Sequence, residues 1–296
     1  MRWIGFGVAA LAGCGRIDFA ELHRADAPPI DGSCTFGPWG TPQLLAALSS
    51  PKTDYGGEIT GDGLALYFDS SRTGTNDLYV ATRTSTDAAF GAPVAEPVLD
   101  ADAFSGDQSP TGDQLELYFD SDRGTEPCIY VTTRTSAATA WTTPHELALC
   151  AEQEAVGPYV TPDGLALYYN IALDTPTEGV LYVASRASRD DEFPPGAPLG
   201  ISTGANSGFP ALSADQLTIY FESETGPGGT LELWQASRAG LADAFGAPSR
   251  IPDIANPSGD NSDVSITADG LALYFASNRQ TGLGGDDLYV ATRSCD

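Results

Sequence analysis

Histidine occurs at only two of the 296 positions, His23 and His145, too few for a His-based metal site and poor material for a Ser-His-Asp triad. The chain has no phosphate-cradling Gly-x-x-x-x-Gly-Lys, and one lysine, Lys52, outside any glycine loop. Asp120-Ser121-Asp122-Arg123-Gly124 begins like a calcium loop but lacks the distal glutamate at the right spacing, so it reads as a turn. What the chain has in abundance is carboxylate: 14 Lys and Arg against 40 Asp and Glu, a formal charge of −26. That balance excludes nucleic acid, which is held by neutralising phosphates, and disfavours an anionic membrane surface. It leaves cationic partners or simple solubility.

The carboxylates fall into two sets, those that recur and those that do not. The phrase Asp62-Gly-Leu-Ala-Leu-Tyr-Phe returns in related form at Asp113, Asp163, Asp215 and Asp269, at spacings of 51, 50, 52 and 54 residues. A second phrase follows each, ending in Arg83, Arg134, Arg186, Arg238 and Arg293. Seven residues after the first four arginines comes Phe90, Trp141, Phe193 or Phe245, with a proline soon after. Each unit reads as four short strands: A around Glu58–Thr60, B over Leu64–Asp69, C over Leu78–Arg83 and D over about Ala92–Val98. Strand B is apolar on both faces, as in a sheet sandwiched between two others. No helical segments separate the strands, which excludes alternating βα units. Radially stacked blades meet these conditions, so the expected fold is all-β: a five-bladed β-propeller of four-stranded antiparallel blades over residues 34–296. The recurring Asp then heads a turn, and the recurring Arg ends a strand, where it is expected to pair with carboxylates of a neighbouring blade.

The fifth unit stops after strand C, and Trp39-Gly-Thr-Pro42 matches Phe90-Gly-Ala-Pro93, so the N-terminal strand is expected to complete the last blade. Repeat arithmetic places Cys34 and Cys295 together at the position of Ser85, which predicts a Cys34–Cys295 disulfide locking the ring. Cys128 opens one strand C and Cys150 closes the next strand D of the same hairpin, which predicts Cys128–Cys150.

In such a ring the B–C and D–A connections share one face, around the channel mouth. The non-repeating acids gather there: Asp54, Glu58, Asp102, Asp107, Glu152, Glu154, Asp260 and Asp263. Asp107 and Asp263 share one register, and alternation aims Glu58 at the channel. The candidate mouth site is therefore Asp54, Glu58, Asp107, Asp260 and Asp263. It could hold Ca²⁺ through Glu58, Asp107 and Asp263, draw in a basic peptide segment, or be a solvated acidic rim.

The pattern Ser/Thr-x-Asp-Gly-Leu-x-Leu-Tyr-Phe, the Ser-x-Arg-Thr-Gly loop at 71–74 and Asp-Leu-Tyr-Val resemble the TolB-type, WD-like propeller repeat. The third and fourth units depart from it, lacking the Ser-x-Arg loop. The N-terminus, a single Arg2 and an apolar run ending in Leu11-Ala12-Gly13-Cys14, resembles the lipobox of bacterial lipoproteins. That resemblance implies a signal peptide over 1–13, a diacylglycerol on Cys14, a tether over 14–33, and anchoring in the envelope, with the outer membrane expected. The propeller resemblance implies a monomeric, non-catalytic binding or scaffold module for an envelope protein or peptide segment, with the membrane touched only by the lipid. Five-bladed propellers also include glycosidases that use channel carboxylates, for which Glu58 with Asp107 or Asp263 would be the pair. A Ca²⁺-binding structural surface lipoprotein is the third class.

Overall fold

The computed structural model describes residues 34–96, 99, 103–150, 154–171 and 180–296. Cys14, the leader and the tether, together with Asp102 and Glu152, lie outside the described residues. Among the described residues twenty strands form five separate four-stranded antiparallel sheets. The chain starts with β1 (Gln43–Leu44), then builds blade one from β2 (Asp54–Ile59), β3 (Ala65–Ser70), β4 (Asp77–Thr82) and β5 (Val94–Ala95). Blade two is β6 (Ser105–Pro110), β7 (Glu116–Ser121), β8 (Cys128–Thr133) and β9 (His145–Glu146). Blade three is β10 (Ala155–Val160), β11 (Ala166–Ile171), β12 (Val180–Ser185) and β13 (Ala197–Pro198). Blade four is β14 (Ser207–Leu212), β15 (Thr218–Ser223), β16 (Glu232–Ser237) and β17 (Ser249–Arg250). Blade five is β18 (Asn261–Ile266), β19 (Ala272–Ser277) and β20 (Asp287–Thr292), completed on its outer edge by β1. The protein is a five-bladed β-propeller.

Closure follows the repeat arithmetic. Gln43 pairs with Val290 and Leu44 with Tyr289, as Val94 pairs with Val80 and Ala95 with Tyr79 in blade one. Gly40 N donates to Thr292 O as Gly91 N donates to Thr82 O. Cys34 and Cys295 form a disulfide with Cα atoms 5.3 Å apart, and Cys128 bonds to Cys150. Cys150 sits in a single 3₁₀ turn, Ala148–Cys150, rather than at a strand end. The outer strands are shorter than the seven residues expected, two residues each, because only two positions per blade pair with strand C.

Each interface between blades has its own core. Leu66 and Phe68 of β3 face blade five with Tyr274 and Leu288, while Ala65 and Tyr67 face blade two with Leu117 and Phe119. Both faces of strand B are therefore buried, as its unbroken apolar run requires. Full burial of a side chain such as Phe68 or Leu117 is worth about 1.5–3 kcal/mol.

The recurring polar residues hold this frame. In every blade a Thr or Ser hydroxyl and the Leu backbone N–H donate to the same aspartate oxygen, as Thr60 and Leu64 do to Asp62 Oδ1. Asp113, Asp163, Asp215 and Asp269 repeat the arrangement. The recurring arginines differ from expectation. Each donates its Nε to a backbone carbonyl of its own A–B turn. The first four also lie on the following aromatic ring, Arg134 at 4.0 Å from Trp141 and Arg83 at 4.5 Å from Phe90, and Arg293 lies on Trp39 and Phe36 of the N-terminal segment. Of the five, Arg186 alone has an ion pair across blades among the described residues, to Glu116. The others stand over aromatic rings, where stacking and the carbonyl satisfy the guanidinium without a carboxylate.

Candidate binding site at the channel mouth

Five inner strands, β2, β6, β10, β14 and β18, line the central channel, each touching its two neighbours around the ring. Every one carries a β-bulge at the same height. The bulge residue takes a positive φ in all five: Gly56, Asp107, Gly157, Phe209 and Asp263. Left-handed backbone is natural for glycine and tolerable for aspartate, but strained for phenylalanine. Blade four therefore accepts backbone strain to place a side chain in the channel, and blades two and five use a residue type that tolerates the conformation.

A second ring meets this one from the ends of strands B: Asp69, Asp120, Asn170, Glu222 and Ala276. Its members accept hydrogen bonds from the bulge of the next blade. Asp107 N donates to Asp69 Oδ1 at 3.5 Å, Phe209 N to Asn170 Oδ1 at 3.2 Å and Asp263 N to Glu222 Oε2 at 3.1 Å. Asp120 accepts likewise from Gly157 N, and Asp263 itself accepts from Gly56 N, where Ala276 has nothing to offer.

The outcome is five carboxyl groups, Asp69, Asp107, Asp120, Glu222 and Asp263, at one end of the channel. Asp107 lies within hydrogen-bond reach of both Asp120 and Asp263. Burial is the main cause that raises all five, with mutual repulsion adding to it. Asp263 is pushed up to about 6 and Asp120 to about 7. Asp69, Asp107 and Glu222 stand well above the ordinary carboxylate range. Asp120 Oδ1 is buried and receives no N–H or hydroxyl donor.

Above the cluster opens a cavity of about 230 Å³. Asp69, Asp107, Glu222 and Asp263 form its acidic wall; Tyr55, Phe104 and Phe209 supply rings, and no Lys, Arg or His lines it. Phe104 is 44% exposed. Below the cluster the channel narrows to about 30 Å³ between Gly57, Glu58, Pro158 and Pro210. That is room for a water or two and too little for a sugar ring. Glu58 lines this neck, and burial alone raises its carboxyl to about 8.

Of the five residues expected at the mouth, the structure brings Glu58, Asp107 and Asp263 to the channel and takes two away. Asp54 is fully buried, accepts Ser50 N at 2.6 Å and pairs with Arg72 at 2.8 Å. Asp260 accepts Leu231 N and Asn278 Nδ2, tying blade four to blade five. Among the described residues no group of three or more His, Cys, Asp or Glu is arranged to hold a metal ion. Sequence reasoning missed Asp69, Asp120, Glu222, Phe104, Phe209 and Tyr55. The first three share a repeat column, and a charged residue closing an otherwise apolar strand was the available signal.

No family model and no curated protein matches the chain. Solved structures do resemble it. The α-L-arabinofuranosidase of Podospora anserina, in complex with cellotriose, matches with a TM-score of 0.57 at 11% identity, over 88% of this chain and 97% of that one. A protein assigned as TolB from Agrobacterium tumefaciens matches with a TM-score of 0.51 at 15% identity, over 83% and 85%. TolB from Acinetobacter baumannii has a TM-score of 0.47 at 13% identity; the match covers 77% of this chain and about half (53%) of that protein. At these identities the likeness is one of fold. No helix among the described residues is long and apolar enough to cross a membrane.

Proposed function

We propose that this propeller is a non-catalytic binding module of the bacterial envelope, whose acidic mouth captures a basic segment of a protein partner. One observation carries the reading: a cavity of about 230 Å³ walled by four carboxyl groups and three aromatic rings, with no basic residue. The net charge of −26 adds a long-range field that draws a cationic segment toward that mouth. The likeness to a TolB protein is in keeping with a protein partner, and the lipobox-like Leu11–Cys14 with an envelope location.

The likeness to an arabinofuranosidase makes sugar hydrolysis the competing reading. Two features speak for binding instead. Hydrolytic carboxyl pairs stand about 5–10 Å apart around a sugar, whereas Asp107 lies within hydrogen-bond reach of both Asp120 and Asp263. Glu58, the other expected member, lies in a neck of about 30 Å³. Calcium is the second competitor for the mouth.

Calorimetric titration with a polyarginine-containing peptide and with an acidic peptide tests the proposal. The basic peptide should bind and the acidic one should not. Affinity should fall roughly tenfold or more as salt shortens the Debye length from about 30 Å to about 3 Å. Asp107→Asn with Asp263→Asn should weaken it further. Equal binding of both peptides, hydrolysis of aryl arabinofuranosides or xylosides that the double variant loses, or a Ca²⁺-dependent rise in melting temperature without peptide binding would each overturn the reading.

A further inference from the structure

We propose that the mouth cavity is a pocket for a single arginine side chain, the guanidinium entering between Phe209 and the carboxyl groups of Asp107 and Asp263. This rests on the binding reading above and narrows it to one side-chain chemistry.

The acceptors are in place and under-used. Asp69 accepts from Asn76 Nδ2 at 2.6 Å and Glu222 from Asp263 N at 3.1 Å. A carboxylate offers about four lone-pair sites, so both keep capacity on the cavity side. The four carboxyl groups of the wall, Asp69, Asp107, Glu222 and Asp263, come from blades one, two, four and five around one opening, which suits a flat fork with five donors better than a single ammonium.

The aromatic residues point the same way. Phe209 holds a φ of 51° to present its ring to the channel, where blades one and three have Gly56 and Gly157. Tyr55 and Phe104 add two more rings to the cavity. A guanidinium stacks on such rings, is weakly hydrated and stays charged when desolvated. A lysine ammonium is strongly hydrated, and entry into a site dry enough to raise its own carboxyl groups would favour loss of its proton. The same chain uses the arginine-on-aromatic arrangement throughout its frame, with Arg293 3.7 Å from Phe36 and Arg72 4.7 Å from Tyr79.

The test compares three Gly-Ser decapeptides that differ at one central residue: arginine, lysine or citrulline. Binding is followed by calorimetry or by chemical-shift titration of the intact propeller. The arginine peptide should bind about tenfold or more tighter than the lysine peptide, a difference of about 1.4 kcal/mol, and the uncharged citrulline peptide should not bind measurably. Phe209→Gly restores the residue that the backbone prefers and that two blades already use, so the fold should persist while the preference for arginine is lost. Asp107→Asn, also compatible with positive φ, should weaken the arginine peptide at least fivefold. Equal affinity for arginine and lysine would overturn the arginine assignment and leave the basic-segment reading standing. Arginine selectivity that survives Phe209→Gly would overturn it too, since the site would then lie elsewhere. Failure of all three peptides and of longer basic peptides would sink the reading beneath it.

Discussion

Asp107 and Asp263 sit at positive φ on two inner strands, and Glu58 sits in the neck below them. These carboxyl groups set how stability responds to pH. Burial raises Glu58 from 4.5 to about 8, so the folded chain binds that proton more tightly than the unfolded one. Its contribution is full below about pH 4.5 and is lost as pH rises through about 8, on the order of 5 kcal/mol in all. Asp263 and Asp120, raised to about 6 and about 7, lose theirs over the lower part of the same window. The melting temperature should therefore fall from mildly acidic to mildly alkaline pH. Glu58→Gln, which keeps the shape and removes the charge, should flatten the upper part of that fall; a fall as steep as wild type would remove Glu58 from the cause. The register of Asp107 and Asp263 was readable from their common distance to the repeat aspartate. The departure of Asp54 and Asp260 was not, because their partners, Arg72 and Asn278, lie across loops whose geometry no spacing reveals.

Strands A, B and C were legible because they recur five times and strand B is an unbroken apolar run in each copy. The bulges were not: a single extra residue in β2, β6, β10, β14 and β18 leaves no periodic mark, yet it aims the channel side chains. The outer strand of blade five is secured differently from the other four. β1 pairs through two residues and comes from the opposite end of the chain, held by the Cys34–Cys295 disulfide across a sequence separation of 261. In the chain-entropy model a loop of that length is worth on the order of 5 kcal/mol, an upper figure. Reduction should make residues 35–44 the first to lose hydrogen-exchange protection, ahead of the outer strands of blades one to four. Simultaneous loss across all five outer strands would mean that strand pairing, not the disulfide, secures closure.

At the scale of the whole ring, five non-identical copies of one blade let a repeat fold carry a site that does not repeat. The recurrent aspartates, arginines and tyrosines are consumed in turns and blade interfaces. Function is left to the columns where the blades differ: Gly, Asp, Gly, Phe and Asp at the bulge, and Asp, Asp, Asn, Glu and Ala beside it. The acidic mouth follows from closing the ring, which brings Asp263 of blade five against Gly56 of blade one and within hydrogen-bond reach of Asp107. The most direct test of the mouth as the binding site is a hydrogen-exchange footprint of the intact propeller with and without a saturating basic peptide. Protection should rise around the mouth, at 54–57, 104–108, 206–209 and 261–264, and stay unchanged on the outer strands and the A–B turns. Protection at the outer strands or the opposite face, with the mouth unchanged, would contradict the account.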